Sequence, residues 1–162
     1  MVKNLLWPFV VIAGLSLANP SKAALGWTSD ECEQHWGKPL FSETDTDGQF
    51  TATFEAHDLQ IMVWLTDGKV ARVAYQGHNH EFSSTDILTF QKANAISPTA
   101  TWVFSRKDEG TQNYEWELRE DPNKTDAVAS AIFIVKENAF IVFTAADNQR
   151  GKNAGTEKAS GL

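Results

Sequence analysis

Apolar and polar positions alternate along much of the chain in a way that predicts seven β-strands. Such period-two patterns, bounded by polar turn residues, are typical of strands with one buried face. They fall into two groups on either side of a polar stretch at residues 77–80, and cover residues 50–56, 59–66 and 70–76, then 101–105, 113–119, 129–136 and 139–145. The Asp67-Gly68 pair predicts a tight hairpin between the second and third strands, because both residues tolerate the backbone of a two-residue turn.

A short helix is predicted before each group of strands. The first begins at the capping residue Thr28 and ends at Gly37, and the second begins at Ser83 and ends near Asn94. Cys32 is expected to face the core, because a free cysteine behaves as a small apolar side chain. The polar segment between the first helix and the first strand, residues 42–48, has the composition of a turn.

The order of a capped helix followed by strands occurs twice, in residues 26–77 and 82–147. Residues 61–76 and 130–145 align without a gap, which places the Asp67-Gly68 turn beside the turn predicted at Lys136-Glu137-Asn138. The pattern therefore predicts an α+β fold in which two related units form one antiparallel sheet, with two helices packed on one face. Residues 24–147 would form this single domain, and residues 148–162, rich in Gly, Lys, Asn and Ala, are predicted to be a disordered tail.

Residues 1–23 have the three parts of a cleavable secretory signal peptide. Lys3 precedes an apolar stretch from Leu5 to Leu17, which at about 13 residues is shorter than the ~20 that a membrane-spanning helix needs. Ser21-Lys22-Ala23 then places small residues where a signal peptidase cuts, so cleavage is predicted after Ala23. The alternative, a buried N-terminal helix, is disfavoured because the stretch has no polar face. The mature protein is expected in the periplasm or outside the cell, without a stable membrane anchor.

The charge of the mature protein disfavours two classes of partner. Without Lys3 and Lys22, 12 basic side chains stand against 21 acidic ones, a formal charge of −9. Nucleic acids and anionic membrane surfaces would repel such a protein. Cys32 is the one cysteine of the chain, so no internal disulfide can form.

Two short motifs resemble those of small exported bacterial domains. They are Gly26-Trp27-Thr28 with Trp36-Gly37-Lys38-Pro39, and the hairpin Asp67-Gly68-Lys69-Val70. With the helix-then-strands order, they resemble the β-lactamase-inhibitor-like fold and the outer-membrane assembly lipoproteins of the SmpA/OmlA type. The resemblance implies a domain that binds other proteins and catalyses nothing. The chain differs from the lipoproteins in lacking a lipid-bearing cysteine at the cleavage site.

The sequence offers one alternative chemistry, a metal-binding or hydrolytic protein that uses His78 and His80. Two imidazoles at this spacing lie on one side of a strand and can bind zinc or copper, although further ligands would have to come from elsewhere in the fold. The competing interpretation is a polar loop between the two halves. The sequence contains none of the G-x-S-x-G, H-E-x-x-H or Walker motifs, and no cofactor is predicted.

Apolar side chains on the face of the sheet that should meet water form the candidate binding site. In residues 59–65 the core set is Leu59, Ile61, Val63 and Leu65, which leaves Met62 and Trp64 on the other face. In residues 129–135 the core set is Ala131, Phe133 and Val135, which leaves Ile132 and Ile134 opposite. An apolar patch with polar surroundings is typical of an interaction site.

The sequence thus predicts that Met62, Trp64, Ile132 and Ile134 bind a protein or peptide in the cell envelope or extracellular space. The alternative is that the tail, a loop or a second copy covers them. The sequence leaves the oligomeric state open.

Overall fold

The computed structural model describes residues 24–46, 48–79 and 81–150. The predicted signal peptide, and the predicted tail from residue 151 onwards, lie outside the described residues. The elements, in chain order, are α1 (Ser29–Trp36), β1 (Phe41–Thr44), β2 (Phe50–Ala56), β3 (Leu59–Thr66), β4 (Lys69–Gly77), α2 (Ser84–Ala93), β5 (Thr101–Lys107), β6 (Tyr114–Arg119), β7 (Ala129–Ile134), a 3₁₀ turn (Val135–Glu137) and β8 (Ala139–Thr144). Residues 145–150 are helical.

The eight strands form one sheet in the order β1-β2-β3-β4-β8-β7-β6-β5, with every neighbouring pair antiparallel. β1 to β4 follow one another across one half of the sheet, and β5 to β8 do the same in the other half. The halves meet where β4 pairs with β8, and Val73 lies opposite Val142. The prediction of an α+β fold with a single antiparallel sheet is confirmed.

Reciprocal hydrogen bonds begin both helices. In α1 the Glu31 backbone N–H donates to the Thr28 hydroxyl (3.3 Å), while the Thr28 N–H donates to the Glu31 carboxylate (2.9 Å). Ser83 and Asp86 form the same capping box at α2. Each box satisfies backbone donors that a helix start otherwise leaves unpaired. Both predicted helices and their caps are confirmed.

The core lies between one face of the sheet and the two helices. Trp36 of α1 packs against Phe54 of β2 (ring centroids 5.4 Å apart), and Phe90 of α2 stacks on Tyr75 of β4 (4.6 Å). Cys32 is fully buried in the same cluster, as the sequence predicts. Alternation then places the other side chains of each strand on the face away from α1 and α2, called here the second face.

The structure differs from the sequence predictions at three places. Residues 41–44 pair with β2 as an edge strand, where the sequence predicts a turn from residue 42 onwards. β7 ends at Ile134, and Val135 begins the 3₁₀ turn with 42% of its surface exposed, so its prediction as a core residue is wrong. The chain turns there because Asn138 has the left-handed conformation (φ 49°, ψ 47°). Residues 148–150, predicted as the start of a disordered tail, belong to the helical segment.

Candidate functional site

The four residues that the sequence singles out all lie on the second face. Strand pairing sets Met62 opposite Ala74, Ala74 opposite Ile141, and Ile141 opposite Ile132. The neighbouring row runs from Trp64 through Arg72 and Phe143 to Ser130. Ile134 lies opposite Ala139 in the row on the other side.

These four residues are not one contiguous group by themselves. Met62 and Ile132 lie on β3 and β7, three strand spacings apart, which is about 14 Å at ~4.8 Å per spacing. Between them lie Ala74 and Arg72 of β4, and Ile141 and Phe143 of β8, which add two large apolar side chains. At the β1 edge, Phe41 continues the row of Met62 through its pairing with Thr53. We call the resulting set the apolar band: Phe41, Met62, Trp64, Ile132, Ile134, Ile141 and Phe143.

The apolar band includes three residues that the sequence analysis did not select. Ile141 and Phe143 follow from the rule that found Met62, because Phe140 and Val142 are core residues and their neighbours must face the other way. Phe41 gives no such signal, because the sequence predicts no strand at residues 41–44 and a turn from residue 42 onwards.

The apolar band is accessible to a partner. Phe41 is 56% exposed, and the other six side chains are partly exposed. Alternating positions of the same strands are fully buried in the core, for example Val63 and Phe140.

Arg72 links the apolar band to the helical segment at residues 145–150. Its guanidinium carbon lies 5.3 Å from the centre of the Trp64 ring, and its Nε donates to the Asp147 carboxylate at 2.8 Å. Asp147 is buried, whereas 34% of the Arg72 side chain remains exposed, so the charge pair is partly buried. Arg150 donates to the Thr66 hydroxyl at 3.2 Å. These contacts hold the helical segment against one end of the second face.

Paired charges border the apolar band on the β5–β6 side. Arg106 donates two hydrogen bonds to the Glu115 carboxylate, both 2.8 Å long, and this partner raises the pKa of Arg106 above its usual range. Arg119 donates two to Glu117, at 2.6 and 3.1 Å. A cavity of about 470 Å³ lies between these pairs and the β7–β8 side of the band, and Ile132 and Phe143 form part of its wall.

The histidine motif acquires no further ligand in the described part of the chain. His78 is exposed just after β4, and His80 lies outside the described residues. Within residues 24–46, 48–79 and 81–150, no group of three or more His, Cys, Asp or Glu side chains is placed to bind a metal ion.

Cys32 is buried and its pKa is raised, whereas a reactive thiol is accessible and has a lowered pKa. Burial is the main cause that raises its pKa to about 12, and the charge of Glu31 adds to it. The thiol therefore stays protonated at neutral pH, and the thiolate is the nucleophilic form.

No helix among the described residues is long and apolar enough to cross a lipid bilayer.

Comparison with known proteins yields little likeness. No family model matches the chain, and no curated protein matches it. A crystal structure of an extracellular protein containing an SCP domain, from Bacillus anthracis strain Ames, aligns with a TM-score of 0.43 and 11% identity. The alignment covers 78% of this chain and 47% of that protein, so this chain spans about half its length. A likeness at this level carries no argument about family. The resemblance to β-lactamase-inhibitor-like domains therefore stays a prediction.

Proposed function

We propose that this chain is an exported, non-catalytic binding domain that recognises a protein or peptide through the apolar band. The observation that carries the proposal is the band itself. Large apolar side chains from β1, β3, β7 and β8 share the face opposite the two helices, and the helical segment at residues 145–150 lies against one end of that face. An exposed apolar set of this kind in a folded domain is a typical site of association. The partner belongs to the periplasm or the extracellular space.

The surroundings of the apolar band also fit an interface. Specific interfaces combine an apolar centre, rich in aromatic side chains and methionine, with a polar rim in which arginine is common. Trp64, Phe143 and Met62 supply the first, and Arg106 and Arg119 the second. Because each arginine already has a carboxylate partner, the rim can meet neutral partners without leaving an unpaired charge.

We further infer that residues 26–77 and 82–147 are two related units. Each contains a capped helix followed by four antiparallel strands, and the last strands of both units pair with each other. Val73 and Val142, equated by the ungapped alignment, lie opposite Val63 and Ala131. The alignment is therefore off by one residue in the preceding strand. With that shift, Ile132 becomes the equivalent of Trp64, so both units would contribute to the band at the same position.

Binding of envelope proteins to the immobilised mature protein tests the proposed function. Bound proteins are identified by mass spectrometry, and the affinity of the strongest is measured by calorimetry with each variant. Trp64→Ala should weaken binding by about 2 kcal/mol or more, as truncation of a central aromatic side chain does. Leu88→Ala is the matched control, because Leu88 is a large exposed side chain (54%) on α2, away from the second face. It should leave the affinity unchanged.

A second variant guards against a folding defect in Trp64→Ala. Phe41 lies on the edge strand and is mostly exposed, so Phe41→Ala should keep the circular dichroism spectrum of the parent. Its affinity for the same partner should fall. Equal affinity of both band variants and the Leu88→Ala control would refute the proposal.

The alternative function, metal binding or hydrolysis through His78 and His80, has a direct test. Metal analysis of the purified protein is compared between the parent and a His78→Ala/His80→Ala variant. Stoichiometric zinc or copper that disappears in the variant would replace the binding proposal as the main function.

A further inference from the structure

The segment that follows the predicted cleavage site is built into the core. Ala24 is only 2% exposed, and Leu25 is also buried. The Gly26 N–H donates to the Val70 carbonyl at 2.8 Å, and the Val70 N–H donates to the Trp27 carbonyl at 2.7 Å. The residue that cleavage after Ala23 would leave first is therefore buried and lies next to a segment hydrogen-bonded to β4.

Ala24 also completes the carbonyl end of α2. A helix leaves its last four carbonyl groups without partners inside the helix. In α2 each of these four carbonyls accepts a hydrogen bond. The Phe90 carbonyl accepts from the Asn94 side chain (2.8 Å) and the Gln91 carbonyl from the Trp102 indole (2.7 Å). The Lys92 carbonyl accepts from the Ala95 N–H (3.3 Å) and the Ala93 carbonyl from the Ala24 N–H (3.2 Å). The hydrogen bond to the last of these carbonyls, that of Ala93, comes from the Ala24 nitrogen, which cleavage after Ala23 would convert from an amide to an amine.

We propose that export processing makes Ala24 the N-terminus, and that its α-ammonium group binds the carbonyl end of α2. In this step water hydrolyses the peptide bond between Ala23 and Ala24. The oxygen joins the Ala23 carbonyl carbon to give a carboxylate, and the Ala24 nitrogen leaves as the amine and gains a proton. A signal peptidase of the exporting cell would catalyse it.

The charge that this step creates fits its surroundings. The C-terminal end of a helix carries partial negative charge, so a cation is stabilised there. A hydrogen bond from a charged donor is also stronger than the one from the amide that it replaces.

A second feature of the same helix end supports an ammonium group. Asn94, which follows Ala93, is fully buried, and its Oδ1 has no hydrogen-bond partner among the described residues. Buried polar atoms normally have a partner. An ammonium group has three N–H donors where a peptide nitrogen has one, so processing supplies donors at the end of the helix that retains an unused acceptor.

The position of the cut and the state of the amine can both be measured. The full-length chain is exported, purified and analysed by mass spectrometry, which should find Ala24 as the first residue. The α-amine of this protein is then acetylated, and its rate is compared with that of a protein that begins one residue earlier, at Ala23. We expect acetylation of the Ala24 amine to be at least about tenfold slower, because it must open from the helix end to react. The Ala23 form should have a Tm lower by about 3 °C or more.

Each readout can overturn the proposal. A first residue other than Ala24, equal acetylation rates, or equal Tm values for the two forms would each do so. The inference uses the export part of the proposed function but not the binding part. It therefore survives if the apolar band binds nothing, and the band can bind even if the amine proves exposed.

Discussion

Two buried groups beneath the helices retain their protons far above neutral pH. The Tyr75 hydroxyl accepts a hydrogen bond from the Asn94 side chain at 3.0 Å, and burial raises the pKa of Tyr75 to about 12. The Cys32 thiol is raised to about the same pKa. Because both groups are buried, ionisation would place a charge in a poorly solvated environment. Both residues are therefore structural in the folded protein.

Cys32 should be inert in the native protein. A maleimide reagent at pH 8 should label it at least about a hundredfold more slowly than in urea, because both burial and the raised pKa suppress the reactive thiolate. Labelling is followed by mass spectrometry, and the urea-unfolded protein is the control. Equal rates in both states would show that the thiol is accessible.

Tyr75 should make the protein sensitive to alkali. Below pH 10 the hydroxyl is protonated in both states, whereas between about pH 10 and 12 the unfolded chain loses this proton and the folded chain retains it. Stability is therefore lost as the pH rises through this window. Tyr75→Phe should cost about 1 kcal/mol at pH 7, from the lost hydrogen bond, but should lose less stability than the parent between pH 9 and 11.

Urea unfolding at the two pH values measures the difference. Tyr114→Phe provides the matched control, because Tyr114 is the other tyrosine of the chain and its side chain is partly exposed. If Tyr75→Phe and the parent lose the same stability between the two pH values, the explanation from burial is wrong.

At the scale of elements, Asn138 connects the last hairpin to the start of α2. It ends the 3₁₀ turn in the left-handed conformation, and its side-chain oxygen accepts from the Phe82 N–H at 2.8 Å. Phe82 directly precedes Ser83, the cap of α2. Asn138 thus fixes the turn between β7 and β8 through its backbone conformation, and the start of α2 through its side chain.

Two substitutions separate these roles of Asn138. Asn138→Gly keeps the left-handed backbone and loses the side-chain hydrogen bond, which should cost about 1 kcal/mol. Asn138→Ala loses the bond and also places a Cβ in the left-handed region, which adds about 1 to 2 kcal/mol. Urea unfolding should therefore rank the parent above Asn138→Gly and Asn138→Ala last. If the two variants are equally stable, the backbone conformation contributes nothing.

Elements whose signals lie within a few residues could be predicted from the sequence. The capping residues of both helices and the Asp67-Gly68 turn act over three or four positions, and the structure reproduces them. β1 could not be predicted, because all four of its residues are exposed and show no alternation. Its strand conformation depends on pairing with β2, a contact between segments that local patterns do not encode.

The candidate site was predictable to the same extent. Alternation along β3 and β7 places Met62, Trp64, Ile132 and Ile134 on the second face, but strand order and register separate the two pairs by β4 and β8. The bond between Arg72 and Asp147 joins residues 75 positions apart, so only the assembled sheet reveals it. Sequence patterns thus indicate which face a side chain takes, but not which distant side chains share it.

On the scale of the whole molecule, one core serves both halves of the chain. The cluster contains residues from β2 to β4 together with residues from β6 to β8, and both helices contribute to it. Phe90 illustrates the connection, since it stacks on Tyr75 of the first half and on Phe140 of the second, with centroids 4.6 and 5.7 Å apart. Pairing of β4 with β8 makes the sheet continuous as well. Neither half can unfold without exposing apolar surface of the other.

The protein should therefore unfold in one cooperative transition, whichever half is observed. In a protein that begins at Ala24, and so lacks Trp7, tryptophan fluorescence offers a probe for each half. A variant with Trp102 and Trp116 replaced by Phe reports on the first half, and one with Trp27, Trp36 and Trp64 replaced by Phe reports on the second. In each variant the midpoint of urea unfolding by fluorescence should coincide with that by far-ultraviolet circular dichroism, because coincident probes indicate two-state unfolding. A fluorescence midpoint that departs from the dichroism midpoint in either variant would show that the halves unfold independently, and the shared core would then be too weak to couple them.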